Sequence, residues 1–258
     1  MPDRLALLAE PAVRSAVGRE LERVIEYHAV LDSTQIRARA LADGGARAAL
    51  VVAEEQTAGR GRRGNAWHAA PGTSLLASWV LRPAPAQPAL VTLLAGVAVA
   101  RALDAAGCPG TCVKWPNDVQ LAGRKIAGAL ADVAGEGQAA ALLLGIGINI
   151  HHRADDLPAD LSAIATSCAA AGYDVDRLAL LCRLDAELAR LETTAGRDAA
   201  IGHWRARSSV LGREVEVTGP GEALSRGVAV DLADDGALVV ESAAGRERVL
   251  AGTLRLVA

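Results

Sequence analysis

The sequence predicts an α+β fold over residues 1–208, built from a mixed or antiparallel sheet with flanking helices, and a small β-barrel over residues 209–258. Three observations carry this. Segments with helical spacing and strand-like apolar runs share the first two hundred residues. Near Val210 the texture changes to short alternating strands separated by turn residues. The chain has 258 residues, enough for a substantial core.

Pro11 opens a short helix with Val13, Val17 and Leu21 on one face, and residues 24–31 then turn strand-like. Asp32-Ser33-Thr34 is cap chemistry for a helix over 35–42, which Gly44-Gly45 ends. A short buried strand is expected at 49–53. Residues 54–64 abandon periodicity for a polar loop rich in Gly and Arg. A strand at 73–81 and a Pro-rich connection at 82–88 lead into helical spacing over 89–106. Residues 112–115 form a strand entering the Pro116-Asn117-Asp118 turn; two strands flank Ala122-Gly123, and a third covers 140–150. An amphipathic helix follows at 176–191, with Leu180, Leu184 and Leu188 on one stripe, and a second helix carries Trp204. In the last segment Val215 and Val217 alternate with charges, as do Val228, Val230 and Leu232, and Asp234-Asp235-Gly236 is a hairpin turn.

Composition excludes several classes. A formal net charge of −3 does not suit a chain that wraps nucleic acid as a whole. The run at 139–150 is too short and too Gly-broken for a membrane span, and no secretory pattern follows Met1. Cys108, Cys112, Cys168 and Cys182 show no C-x-x-C spacing, which fits inert thiols in a reducing cytoplasm and no metal site. With no Phe, two Tyr and four Trp, the core must pack through Ala, Leu and Val.

Four segments carry chemistry. In Gln56-Thr57-Ala58-Gly59-Arg60-Gly61-Arg62-Arg63-Gly64 the glycine spacing superficially matches a dinucleotide fingerprint, but Arg fills the gaps and no hydrophobic helix follows. A flexible backbone bearing several guanidinium forks suits an anionic ligand; a solvated basic loop is the plainer alternative. In Lys114-Trp115-Pro116-Asn117-Asp118, turn chemistry explains the last three residues better than the first two. Lys125 opens an apolar strand, either as an edge guard or aimed at the same anion. Gly145 and Gly147 weaken a buried strand and mark close approach by a ligand or backbone, after which the Asn149 amide can read an adenine edge.

Taken together in this order, Asp32-Ser33-Thr34, the Gln56 to Arg62 loop, Lys114 to Asp118, Arg124-Lys125-x-x-Gly128 and Gly145-x-Gly147-x-Asn149 closely resemble the biotin protein ligase family. The motifs cover roughly residues 24 to 150. The resemblance implies a catalytic domain like those of class II aminoacyl-tRNA synthetases and a C-terminal Src-homology-3-like barrel, which would serve ATP-side contacts or carrier docking. It implies an ATP-dependent ligase that makes biotinyl-5′-AMP, releases pyrophosphate, and passes the biotinyl group to one lysine of a biotin carboxyl carrier domain. By this analogy Ser33, Thr34 and Gln56 meet the ureido end of biotin, Gln35 is among the ligand-binding residues, and Gly59, Arg60, Gly61 and Arg62 fold over biotin and phosphate. Lys125 sits at the biotin carboxylate and Trp67 forms an apolar wall. Lys114 and Asn117 contact the ligand, while Gly128, Gly145, Gly147 and Asn149 line the floor and adenine pocket. Asp118 orients the incoming amine or a magnesium ion that arrives with ATP; Lys125, Arg60, Arg62 and Asp118 form the catalytic set. Gln35 departs from the family's usual Asn. The implied partners are biotin, ATP and the carrier, with neither DNA nor membrane, for a cytoplasmic monomer or homodimer without an N-terminal winged helix. A lipoate ligase, sharing the fold and a similarly placed lysine, and a non-enzymatic nucleotide-sensing module are the competing readings.

Overall fold

The structure, a computed structural model, describes residues 4–153, 156 and 159–257. Its strands are β1 (Val24–Leu31), β2 (Ala48–Gln56), β3 (Ser74–Leu81), β4 (Thr111–Lys114), β5 (Asp118–Leu121), β6 (Arg124–Ala134), β7 (Ala141–Asn149), β8 (Glu214–Thr218), β9 (Leu224–Leu232), β10 (Leu238–Ser242), β11 (Gly245–Val249) and β12 (Thr253–Leu256). Its helices are α1 (Pro11–Glu20), α2 (Thr34–Asp43), α3 (Pro88–Ala105), α4 (Ala159–Ser162), α5 (Arg177–Arg190) and α6 (Thr194–Arg207). The first seven strands form one mixed sheet in the order β1-β2-β3-β7-β6-β5-β4, parallel only between β1 and β2. The last five form an antiparallel sheet in the order β11-β10-β9-β8-β12, the Src-homology-3-like unit that the sequence leads one to expect.

Helices cover both faces of the large sheet. α3, α5 and α6 pack on one side. Here Leu94, Val97, Leu103, Leu180, Leu184 and Trp204 join Trp79, Ile146 and Ile148 in the main core. On the other side α2 presents Ala38 and Ala42, with Leu41 partly buried beside them, to Val51, Val80 and Leu143. Such small side chains let the helix axis lie close to the sheet. Covered on both faces, β3 is buried along nearly its whole length, so its sequence runs apolar without alternation. Ser33 and Asp176 cap α2 and α5 as their residue types suggest.

Three expectations need correction. The 49–53 strand extends through Gln56, so Glu54 to Gln56 belong to β2 and not to the loop; pairing with β1 continues to Leu31↔Gln56. The 139–150 run is not the longest apolar segment: among the described residues helix α3 is long and apolar enough by composition to cross a membrane. It is a core helix with Leu93, Leu94, Val97 and Leu103 buried. In β9 the alternation of Val228, Val230 and Leu232 does not hold. A bulge lets Val239 face Asp231 while Val240 faces Ala229, so Ala229 and Leu232 turn inward and Val228 stays 40% exposed.

Val215, Val217, Leu232 and Leu238 of the small sheet belong to the same buried cluster as α3 and Trp115. The Trp115 indole is 1% exposed, and its Nε1 donates to the Gly236 carbonyl in the β9–β10 turn at 3.1 Å. The four cysteines are free thiols; Cys108 and Cys168 are buried. The Cys108 thiol beside it, and burial, push the Cys168 thiol up.

Buried His152 couples this packing to pH. Thr73 Oγ1 gives its proton to the Ala70 carbonyl at 2.7 Å, so His152 Nε2–H donates to Thr73 Oγ1 at 2.9 Å. Nδ1 is buried and finds no partner among the described residues. Burial lowers the imidazole from its ordinary 6.5, because a second N–H would find no acceptor. Below that ordinary value the unfolded chain binds a proton that the native one refuses, so stability must fall as the solution is acidified. Thermal unfolding should show stability falling as the pH drops below about 6.5, by no more than about 1.4 kcal/mol per pH unit from this group. His152→Asn should flatten that slope; an unchanged slope in the variant excludes His152 as its source.

Candidate active site

Above the sheet face that α2 only partly covers lies a cavity of about 280 Å³. Its floor is two rows of side-chain positions running across three strands. Gly128, Gly147 and Leu76 stand side by side in one row, and Leu130, Gly145 and Ser78 in the next. A Cβ at Gly147 would stand 2.6 Å from the Trp67 ring, and one at Gly145 would stand 2.7 Å from Gln35 Oε1. The missing side chains therefore make room for an indole and an amide laid flat on the sheet. The close approach expected at this glycine pair is made by side chains of the protein itself.

The inner end of the cavity is polar and uncharged. Residues of the α2 N-terminus, Ser33, Thr34 and Gln35, meet Gln56 from the end of β2. Thr34 N and Oγ1 both donate to Gln56 Oε1, at 2.8 and 3.0 Å. Ser78 Oγ lies 2.9 Å from Thr34 Oγ1 and 3.0 Å from Gln35 Oε1, and Gln35 Nε2 donates to the Leu143 carbonyl at 3.0 Å. The longer arm of Gln35 thus crosses the sheet to β7.

The outer end is cationic. The Arg loop folds as a tight hairpin, with Arg60 bridged to Ala66 and Trp67 N–H donating to the Gly59 carbonyl at 3.0 Å. Arg63 takes a left-handed conformation (φ 56°) at its tip. The tip docks on the small sheet: Arg62 Nη2 donates to the Gly252 carbonyl at 3.3 Å, and Arg63 reaches the Thr218 carbonyl at 3.1 Å and the Thr253 hydroxyl. Arg62 Nη1 also donates to Asn117 Oδ1 at 3.0 Å, while Asn117 Nδ2 donates to the Ala129 carbonyl at 2.8 Å. The Asn117 amide is thereby engaged at both ends, as a brace for Arg62. Burial, then the neighbouring Arg63, pushes the Arg62 guanidinium down from its ordinary value.

Lys125 and Gly128 are three residues apart in β6 and would face opposite ways in a regular strand. A bulge between β5 and β6, with Val119 opposite Ala127 and Gln120 opposite Lys125, turns both onto the cavity face. Lys125 Nζ lies 2.6 Å from Asp118 Oδ1 and 5.6 Å from the centre of the Trp67 ring. The cavity wall carries Arg60, Arg62, Arg63, Lys114 and Lys125 against the single carboxylate of Asp118. Among the described residues, the side chains of Arg60 and Lys114 make no hydrogen bond or ion pair. So strong a positive excess in a chain of net charge −3 suits an anion.

All the residues singled out from sequence line this cavity except Gly59 and Asn149. Gly59 lies behind the wall, where an added Cβ would meet the Trp67 carbonyl oxygen at 2.6 Å. Asn149 is the buried last residue of β7, and its Nδ2 donates to the Thr166 carbonyl at 3.1 Å, so it pins the segment after α4 and lies outside the cavity. Sequence reasoning missed Ser78, Arg63 and the Gly252-Thr253 edge. For Ser78 a signal existed, since it is a hydroxyl inside an unbroken buried strand. The docking of the barrel edge left none, because it depends on how the two sheets meet.

The family model described as Biotin/lipoate A/B protein ligase family matches residues 29–149, and that for the Biotin protein ligase C terminal domain matches residues 210–254. The chain is similar to the bifunctional ligase/repressor BirA of Bacillus subtilis, at 40% identity over 67% of this chain and 55% of that protein. It thus spans about half the length of that relative. A biotin--[acetyl-CoA-carboxylase] ligase from Paracoccus denitrificans is 34% identical over 84% of this chain and 93% of its own length. Among solved structures, the biotin protein ligase of Aquifex aeolicus in complex with biotin and ATP superposes with a TM-score of 0.77 at 28% identity, covering 90% of this chain and 99% of that one. With residues 29–149 and 210–254 each matched, and a relative 34% identical over 84% of this chain and nearly its own full length, the chain belongs to the biotin protein ligase family.

Proposed function

We propose that this protein joins biotin to ATP, releases pyrophosphate, and transfers the biotinyl group from biotinyl-5′-AMP to a lysine of a biotin carboxyl carrier domain. Residues 1–208 form the ligase unit, and residues 209–258 the barrel that steadies its loop. The observation that carries this reading is the two-ended cavity. One end is neutral and rich in hydrogen-bonding groups; the other holds a cluster of cations, two of them without partners among the described residues. Biotin has the matching ends, a cyclic urea and a carboxylate joined by an aliphatic chain. Lipoate would bring a dithiolane to Ser33, Thr34, Gln35 and Gln56, leaving buried polar groups without partners.

The chemistry follows from charge. Attack of a carboxylate on the α-phosphate brings two anions together, so both must be neutralised and held in line. Lys125 is placed for the carboxylate, and Arg60, Arg62 and Lys114 for the phosphates. Magnesium would come on the ATP phosphates; Asp118 is the one carboxylate on the wall, which suits an ion held chiefly by phosphates and water. A carrier lysine must lose a proton before it attacks the mixed anhydride, and the Asp118 carboxylate can orient or accept from that amine. No covalent enzyme intermediate is needed. A cytoplasmic site of action belongs to the same reading.

ATP–pyrophosphate exchange, run in parallel with biotin and with lipoate, tests this directly. Exchange should depend on biotin, with lipoate slower by about 10²-fold or more. Equal exchange with both, or with neither, would sink the biotin assignment.

A further inference from the structure

The ladder between β2 and β3 ends before the Arg loop begins. Its last paired residues are Ala53 and Leu76, and beyond them the strands part into the two feet of the loop, residues 57–73. One backbone bond crosses the opening, from the Gly72 N–H to the Glu54 carbonyl at 3.1 Å. An ion pair lies beside it. Glu54 follows Leu50 and Val52, two members of the main core, on the side where α5 packs. Arg177, the first residue of α5, is 2% exposed, and its Nη1 donates to Glu54 Oε2 at 2.7 Å and to the Ser74 carbonyl at 3.0 Å. The Tyr27 hydroxyl in β1 donates to Glu54 Oε1 at 3.0 Å. A Cβ at Gly72 would stand 3.8 Å from Glu54 Oε2 and 4.0 Å from Arg177 Nη2, so the pair rests against the exit foot. One guanidinium thus joins the entry foot, through Glu54, to the exit foot, through Ser74, and both to α5.

Packing alone does not call for ions here. Desolvating two charges costs free energy that an apolar pair of similar volume avoids. What the ions add is direction, since a planar fork meets carboxylate and carbonyl at fixed angles. The feet matter because Arg60, Arg62 and Trp67 stand between them on the cavity wall, while neither Glu54 nor Arg177 lines the cavity. We infer that Glu54 and Arg177 are positioning residues for ligation. From the far face of the sheet they hold the base of the Arg loop closed, and so keep Arg60, Arg62 and Trp67 on the cavity. The effect on ligation rests on the function proposed above; the hold on the loop does not.

Trypsin reads the loop in the whole chain without any ligand, because Arg60, Arg62 and Arg63 are its cleavage sites. In Arg177→Met, and in Glu54→Leu combined with Arg177→Met, cleavage after these residues should be about 10-fold faster than in the wild type. KM for biotin should rise about 10-fold while kcat stays within about 2-fold, because saturating ligand draws the loop back. Arg177→Lys, which keeps the charge and loses the fork, should fall between. A purely structural role would give a different pattern: cleavage would speed up throughout the chain, and KM would stay put. The double variant leaves no charge buried alone, which protects its folding. Should it not fold, Glu54→Gln, which is close to isosteric, supplies the same readings. Loop cleavage within about 2-fold of wild type in a folded variant would overturn the hold on the loop. Faster loop cleavage with an unmoved KM would overturn the positioning role. If the wild type makes no biotinyl-5′-AMP, the biotin reading and the role in ligation fall together, whereas faster loop cleavage in the variants would still uphold the hold on the loop.

Discussion

Lys125→Ala is expected to lower biotin-dependent pyrophosphate release by roughly 10³-fold while leaving the protein folded. The backbone of Lys125 does the structural part. Its N–H donates to the Ile164 carbonyl at 2.8 Å, and its carbonyl accepts from Thr166 N–H at 2.8 Å, bonds that alanine retains. The side chain is 36% exposed and contributes little to packing, and its ion pair with Asp118 is only partly shielded from water. Its chemical place is different. It is the cation nearest the only carboxylate of the cavity, between the floor glycines and the Arg loop. Without it the biotin carboxylate would approach ATP beside an uncompensated Asp118, adding repulsion where attraction is needed. Lys125→Arg keeps the charge but exchanges a compact ammonium for a planar fork, and should recover only part of the rate. Pyrophosphate release at saturating biotin and ATP, with a thermal melt to confirm folding, reads the outcome. A folded Lys125→Ala enzyme with a wild-type rate would remove this residue from the reaction.

Much of this site was legible because the chemistry is local in sequence. The Ser33 cap, Gln56, the Arg loop, Lys114 to Asp118 and the glycines of β6 and β7 each sit in a short motif, and the sheet order brings those motifs to one face. What escaped depends on register. Lys125 and Gly128 share a face only because β6 carries a bulge, and Val228 lost its inward place in β9 for the same reason. Period-two reasoning has no means of locating such an inserted residue. Asn149 looked like a ligand contact because its amide is versatile; in the fold the Thr166 carbonyl claims it. The tryptophans divide in a way that composition alone does not foretell. Trp67 lies over the floor of the cavity, whereas Trp115, although it touches the cavity wall, is chiefly a core residue between two sheets.

That position makes Trp115→Ala the most destabilising single change expected in this chain, at about 3–5 kcal/mol. In a core with no Phe, the neighbouring Ala, Leu and Val side chains cannot swing far enough to refill the space of an indole. The substitution also strips the Gly236 carbonyl of its donor, and so loosens the turn that joins β9 to β10. Because one buried cluster runs through α3, Trp115 and the small sheet, the loss should be felt by both sheets at once. Urea unfolding followed by circular dichroism should show one cooperative transition moved to lower denaturant, not an early melting of the C-terminal sheet alone. Trp115→Phe, which keeps a ring and loses the hydrogen bond, should cost less than the alanine variant, about 1–3 kcal/mol. Function should follow stability. Trp115 begins the turn whose Asn117 braces Arg62, and Arg62 is in turn held by Gly252 of the small sheet. At temperatures where Trp115→Ala is still folded, its KM for biotin should therefore rise. A cost below about 1 kcal/mol would show that the two sheets do not depend on this indole for their union.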